Sequence, residues 1–332
     1  MNGISVILCC YNSAERLPET LKYLAYQKTN KELEWEIILV NNNSSDNTTD
    51  VAKKEWNKYK VNSEFKIVHQ PLPGLSYARK KGIENSKYDY LLFCDDDNWL
   101  SENYIQTACD VMQSDKHIGA LGGWCDAVFE TKEPDWFNSF AGNFAVGKTS
   151  LETGPVKETN GYLYGAGMVV RKSAILHLYS SGFKNILSDR KGKKLSSGGD
   201  VELIYALKLA GYSIYFDERL YFKHYMPASR LSLEYLKKIR KSMYYSNFIL
   251  GIYLDQLNGV ANDFKYLTKR YLNTMIKSLP RLIKNYRKAD EYDKLFIPNQ
   301  IHVKLHFLLN PVKYFRIRKQ LSEFQKRAKN TY

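Results

Sequence analysis

This 332-residue chain is poor in cysteine: it has five (Cys9, Cys10, Cys94, Cys109, Cys125), all within the first 125 residues and none in C-x-x-C spacing. That odd number and that arrangement argue against a disulfide framework and a structural zinc site. No apolar run reaches the roughly 18–20 residues that a membrane-spanning helix needs. The opening Met-Asn-Gly-Ile-Ser-Val-Ile-Leu enters a strand-like segment without a basic region and cleavage site, so no signal peptide is expected. Internal repeats and low-complexity linkers are missing as well. A globular protein of a reducing, cytoplasmic compartment fits these absences.

What is present is unevenly distributed. The net charge is +14, yet residues 1–230 hold 28 Lys and Arg against 28 Asp and Glu, whereas residues 231–332 hold 21 against 7. The whole excess therefore sits in the last 102 residues. The division predicts a catalytic or binding domain over residues 1–230 and a basic, mostly helical extension over residues 231–332.

In the first part, short apolar runs alternate with helix-like segments. Ile4–Cys9, Trp35–Val40, Phe65–Val68 and Tyr88–Phe93 read as buried strands, with helices between them at about Ala14–Gln27, Ser45–Tyr59 and Ser76–Asn85. Such alternation implies an α/β fold with a mostly parallel sheet covered on both faces. Ligands of such sheets bind beyond the carboxyl ends of the strands, where strand order reverses. Three polar loops stand at such ends: Cys10–Asn12, Asn41–Ser45 and Asp95–Asn98. Further on, Gly119–Phe129 and Tyr162–Val170 read as strands, Asp200–Ala210 as a helix closed by Gly211, and Tyr212–Tyr225 as strands again. Ser232–Leu257 and Phe264–Lys288 look like long helices, the second interrupted by Pro280.

Asp95-Asp96-Asp97 carries the chemistry. Three adjacent carboxylates at a strand end repel one another and need a cation or hydrogen-bond donors. A divalent ion held by one or two carboxylates and substrate phosphates is one solution. The other reading is an acidic start to a helix at Trp99–Met112. Asp200 is likewise open to two readings, as a reactive carboxylate or as the cap of the helix that follows. Asn41–Asn43 also suits a plain turn.

The ordered series S-V-I-L-C-C-Y-N (5–12), I-I-L-V-N-N-N-S-S-D-N-T (37–48), G-L-S-Y-A-R-K-K-G-I (74–83), L-L-F-C-D-D-D-N (91–98), Y-G-A-G-M-V-V-R-K-S-A (164–174) and G-G-D-V-E-L (198–203) resembles the family-2 glycosyltransferases over about residues 3–230. The resemblance implies an A-type glycosyltransferase (Rossmann-like nucleotide-diphospho-sugar transferase) fold and an inverting transfer from a nucleoside-diphosphate sugar, a UDP-sugar by preference. The acceptor it implies is a glycan or a lipid-linked sugar. By position, Tyr11 and Asn12 match the segment at the nucleobase, and Asn42 and Ser44 the loop reading base and ribose. Arg79 falls near the phosphates, Asp95 and Asp96 on the ribose side, and Gly165 beside the sugar. Asp97 matches the ligand of a divalent metal, Mn2+ or Mg2+; His224 can be read as a further ligand, as in some relatives, or as a packed or surface residue. Asp200 matches the catalytic base; Glu202, close to it in sequence, is a weaker alternative, and Arg230 can be read as a group that reaches the diphosphate. Two positions depart from the pattern: Asn41-Asn42 stand where many relatives have Asp-Asp or Asp-Asn, and Gly199 where Glu is frequent. A nucleotidyltransferase-like enzyme or a silent sugar-binding module are the alternatives. Trp124 and Trp136 can be read as acceptor-stacking groups or as core.

The basic extension combines Lys and Arg with aromatics, as in Lys313-Tyr314-Phe315-Arg316-Ile317-Arg318-Lys319. Contact with an anionic membrane surface, at the inner face of the plasma membrane, and a helical cap on the catalytic domain are compatible readings. Nucleic acid is not expected, since no RNP, helix-turn-helix or zinc-finger signature accompanies the charge.

Overall fold

The computed structural model describes residues 3–187, 197–288, 294 and 305–331. One mixed nine-stranded sheet runs through it. Its strands are β1 (Ile4–Cys10), β2 (Trp35–Asn41), β3 (Glu64–His69), β4 (Tyr90–Asp95), β5 (Asn98–Leu100), β6 (Ile118–Phe129), β7 (Gly154–Pro155), β8 (Val169–Arg171) and β9 (Ser213–Met226). Their order is β3-β2-β1-β4-β8-β6-β9-β5, with β7 against β9. Strands β1 to β4 pair in parallel, as their apolar runs predict, and β1 and β2 are buried on both faces. The chain builds β2 and β3 on one side of β1 and returns to place β4 on the other. The switch point thus lies between the carboxyl ends of β1 and β4, where Tyr11 follows one strand and Asp96 the other.

The helices of the first part are α1 (Leu17–Ala25), α2 (Thr48–Trp56), α3 (Leu75–Asn85) and α4 (Tyr104–Ser114). Helix α3 lies so close to β1 that a Cβ at Gly82 would meet Ile7 Cγ2 at 2.4 Å, so only glycine permits this packing. After them come α5 (Phe137–Phe140), α6 (Lys172–Ser180), α7 (Gly199–Leu209), α8 (Leu233–Leu257), α9 (Phe264–Lys288) and α10 (Pro311–Thr331).

Several expectations are corrected. Trp99 does not start a helix: β5 pairs antiparallel with β9, Asn98 opposite His224, and α4 begins only at Tyr104. The Asp triplet is therefore a turn between two strands and not a helix cap. Stacking of Trp99 on Tyr23 and Tyr225 favours the extended conformation. The expected strand Tyr162–Val170 shrinks to β8, because Gly167 adopts φ +71° and turns the chain out of the sheet. Helix α9 continues through Pro280 without a break.

The extension is built into the main core. Phe248, Ile249, Ile252 and Tyr253 of α8 and Tyr314, Ile317, Leu321 and Phe324 of α10 join the same apolar cluster as Ile204 and Leu207 of α7. Tyr314 and Arg318, expected at a membrane interface, are buried. Tyr314 Oη donates to Asp255 at 2.7 Å and Arg318 Nη2 to the Val260 carbonyl at 2.7 Å. Trp136 is core too, packed with Phe137, Phe140 and Phe144.

Candidate active site

A cavity of about 750 Å³ opens at the switch point. Of the residues singled out from sequence, Tyr11, Asn42, Arg79, Asp95, Asp96, Asp97, Gly165, Asp200, His224 and Arg230 line it. Asn12 and Ser44 stand behind the wall. Asn12 N–H donates to Ser44 Oγ at 3.1 Å, and Ser45 N–H to Asn12 Oδ1 at 2.8 Å, which ties the loop after β1 to the loop after β2. Asn12 does this in the left-handed region, φ +50°, which asparagine tolerates better than most residues. Asn42 likewise pins a loop: its Nδ2 donates to the carbonyls of Gln70 and Leu72, and its Oδ1 accepts from Gly74 N–H at 2.8 Å. That contact sets the glycine turn from which α3 starts.

The acidic triplet is met by two arginines. Arg16 Nη2 lies 2.6 Å from Asp96 Oδ2, and Arg230 Nη1 lies 2.9 Å from Asp97 Oδ2. Burial opposes the charge on both guanidinium groups, but the facing carboxylates outweigh it and hold their pKa above the usual value. The pKa of Asp96 is raised too, which in its case favours the neutral form: burial and the Asp97 charge push it up, and Arg16 offsets only part of this. Arg16 was not foreseen, because nothing in the sequence links it to a residue 80 positions away; Arg230 was.

The β5–β9 register brings His224 to Asp97. His224 Nε2 stands 3.4 Å from Asp97 Oδ1, while its Nδ1 is buried without a hydrogen-bond partner. Among the described residues no group of three His, Cys, Asp or Glu side chains gathers as a metal cage. Asp97 and His224 set a carboxylate oxygen and an imidazole nitrogen side by side, donors that would suit a divalent ion. Arg230 holds the other Asp97 oxygen, while Oδ1, beside His224, accepts from Asn98 Nδ2 at 3.2 Å.

Asp200 lies in the first turn of α7. Its Oδ2 accepts the Gly165 N–H at 2.8 Å and its Oδ1 accepts the Val201 N–H at 2.9 Å, so the carboxylate is oriented from both sides. Gly198, at φ +101°, supplies the turn that enters the helix. Glu202 cannot serve as the alternative base: it is fully buried and accepts from Ile186 N–H, Leu187 N–H and Tyr253 Oη at 2.9, 2.9 and 2.8 Å. Beyond Asp200 the cavity continues between Tyr162, Tyr164 and Tyr205 on one side and Met243, Leu250 and Leu254 of α8 on the other. Sequence reading missed this half, although positions 243, 250 and 254 share one helical face. Trp124 is not among the lining residues; its Nε1 donates to the Glu218 carbonyl.

A parallel sheet that becomes mixed beyond β4, with an acidic turn at the switch point and helices packed on both faces, is the A-type glycosyltransferase fold. The family model for "Glycosyl transferase family 2" matches residues 5–178, more than half of the chain, and the chain belongs to that family. Among curated relatives, the poly-beta-1,6-N-acetyl-D-glucosamine synthase of Staphylococcus aureus (strain COL) is 32% identical over 124 residues, 37% of this chain and 28% of that protein. The match thus spans little more than a quarter of such relatives. Among solved structures, S. aureus TarS 1–349 in complex with UDP superposes with a TM-score of 0.53 at 17% identity, over 99% of this chain and 89% of that one. The same fragment in complex with UDP-GlcNAc gives 0.52 at 16%, over 99% and 91%. At these identities the likeness concerns the fold.

Proposed function

We propose that this protein moves a sugar from a UDP-sugar to a glycan or lipid-linked acceptor, with inversion at the anomeric carbon, in polysaccharide or glycoconjugate biosynthesis. The observation that carries the reading is that the acidic turn Asp95–Asp97 and the oriented Asp200 carboxylate line one continuous cavity. The donor occupies the β1/β4 end. There Tyr11 borders the base, Asn12, Asn42 and Ser44 hold the loops around base and ribose, Asp95 and Asp96 face the ribose, and Arg79 lies toward the phosphates. The UDP and UDP-GlcNAc complexes of the TarS fragment support uridine as the base.

The acceptor enters the half between Tyr162 and α8. Asp200 takes the proton of its hydroxyl while that oxygen attacks the anomeric carbon. The bond from that carbon to the diphosphate breaks on the opposite side, and its electron pair leaves with the nucleoside diphosphate. One displacement inverts the centre without a covalent intermediate. Asp97 and His224 would hold a divalent ion, Mn2+ or Mg2+, which when bound supplies positive charge at the diphosphate. Arg16 and Arg230 add charge at the same end. The basic surface of the extension suits peripheral contact with an anionic membrane.

Calorimetry with UDP, GDP and dTDP, paired with a hydrolysis screen of the corresponding sugars in the presence of manganese, tests the donor. UDP should bind most tightly and a UDP-sugar should be hydrolysed. Tighter GDP binding refutes the uridine assignment, and no hydrolysis of any donor refutes the catalytic reading.

A further inference from the structure

Among its described side chains, helix α9 packs along one edge. Leu267 is fully buried and Tyr271 stacks on Phe307 at 4.4 Å, its hydroxyl donating to Asp255. At 100° per residue the apolar arc does not stop at that edge. It continues through Leu272, Ile276 and Ile283, which share a face at i, i+4 and i+11 and are 36%, 63% and 47% exposed. Phe264 at the start of the helix is 54% exposed. No other helix presents such a run of large exposed apolar side chains among the described residues.

The rest of the helix is basic. Residues 264–288 hold eight Lys and Arg and no Asp or Glu. Lys265 and Lys269 continue the line of the exposed strip toward the start of the helix, and Lys277 lies on the side of the helix that carries Arg270; all three are exposed. An apolar strip bordered by cations, on a helix too polar to span a bilayer, is the composition of helices that lie in the lipid headgroup plane. A second copy of this chain would bring the same eight cations to the contact and be repelled. Nucleic acid would leave the isoleucines with no partner. An anionic bilayer satisfies both faces, its acyl boundary taking the apolar strip and its headgroups the cations.

We propose that α9 is the membrane-contacting element of this protein and lies in the surface of an anionic bilayer through Leu272, Ile276 and Ile283. This refines the peripheral contact proposed above and moves it away from residues 313–319, whose Tyr314 and Arg318 are buried.

Full-length protein is tested by flotation with phosphatidylcholine vesicles, with and without phosphatidylglycerol. Binding should require the anionic lipid and fall as salt rises. Lys269→Gln with Lys277→Gln should weaken it about thirtyfold at low salt, and Ile276→Asp with Ile283→Asp should abolish it. Donor hydrolysis, measured in the same samples, should stay at the wild-type level, since none of these residues lines the cavity. Loss of hydrolysis in the wild type itself would strike the transferase reading and not this one. Hydrogen exchange on the wild-type protein needs no variant: vesicles should protect residues 264–288. Protection confined to residues 311–331, no vesicle binding, or binding of a DNA duplex that survives the isoleucine changes would overturn the proposal.

Discussion

The backbone N–H of Gly165 donates to Oδ2 of Asp200 across 35 residues of sequence, at 2.8 Å. A Cβ at position 165 would lie 2.9 Å from Asp200 Cβ and 3.0 Å from both Asp200 Oδ2 and Arg79 Nη2. The loop after Tyr164 can therefore approach the carboxylate only because it has no side chain there, and the approach fixes where Asp200 points.

Asp200→Asn should cost about 10²–10⁴ in transfer rate while UDP binding stays near wild type. Gly165→Ala retains the carboxylate but displaces it, and a shift approaching 1 Å costs up to about 100-fold. Steady-state transfer assays with calorimetry for UDP check both. Transfer by Gly165→Ala within a few-fold of wild type would show that the approach is not needed.

The divalent ion proposed at Asp97 and His224 predicts metal-dependent turnover. Chelation with EDTA should stop donor hydrolysis, and Mn2+ or Mg2+ should restore it. Asp97→Asn should not be restorable. His224→Ala should raise the metal concentration needed for half-maximal turnover. Hydrolysis that persists in excess EDTA would leave Arg16 and Arg230 as the positive charge at the diphosphate.

Glu202 is a brace for the loop before α7 and for α8. Glu202→Ala strands three donors, two of them backbone N–H groups, and at roughly 1–3 kcal/mol each should destabilise the fold by at least about 3 kcal/mol. Denaturant melts measure that loss. The pH–rate profile of the surviving folded enzyme should keep its wild-type shape, which a lost general base would change.

Lys208 gives a pH signature. Its ammonium donates to the carbonyls of Glu158 and Gly161 at 2.8 and 2.6 Å, and burial lowers its pKa to about 8. Because the folded value lies below that of the unfolded chain, the unfolded chain binds more protons between pH 8 and 10.5. Stability relative to Lys208→Met should therefore rise with pH across that window. Urea melts of the pair at pH 7, 8, 9 and 10 check the sign, and a falling difference would contradict it.

How much of this could be read from sequence depended on the range of the interactions involved. The strands β1, β2 and β4 were legible because a doubly covered parallel strand is a continuous apolar run, and the polar residues that end each run mark the site. Asp97 stood out for that reason, whereas Asp200, in the first turn of a helix, stood out through the G-G-D-V-E-L match. Trp99 did not read as a strand because β5 is three residues long and owes its state to β9, more than 120 residues away. Glu202 looked like a neighbour of Asp200, but two residues along a helix point to different faces, and this one points inward. In α10 the signal was present: Tyr314, Ile317, Leu321, Phe324 and Ala328 recur at spacings of three and four, an apolar stripe that the surrounding charge obscured.

Helix α8 has two duties. One face, with Met243, Leu250 and Leu254, walls the cavity, while Tyr253 reaches Glu202 and Asp255 receives Arg270, Tyr271 and Tyr314 from the two helices behind it. For anyone building chimeras, the join near residue 230 is a poor place to cut. A transplanted front part would keep its nucleotide end and Asp200 yet have one side of its trough missing, and a foreign rear part would arrive with a different trough lining. On the donor and acceptor ends proposed above, swapping the rear segment between relatives should change acceptor choice while leaving the donor-end residues as they are.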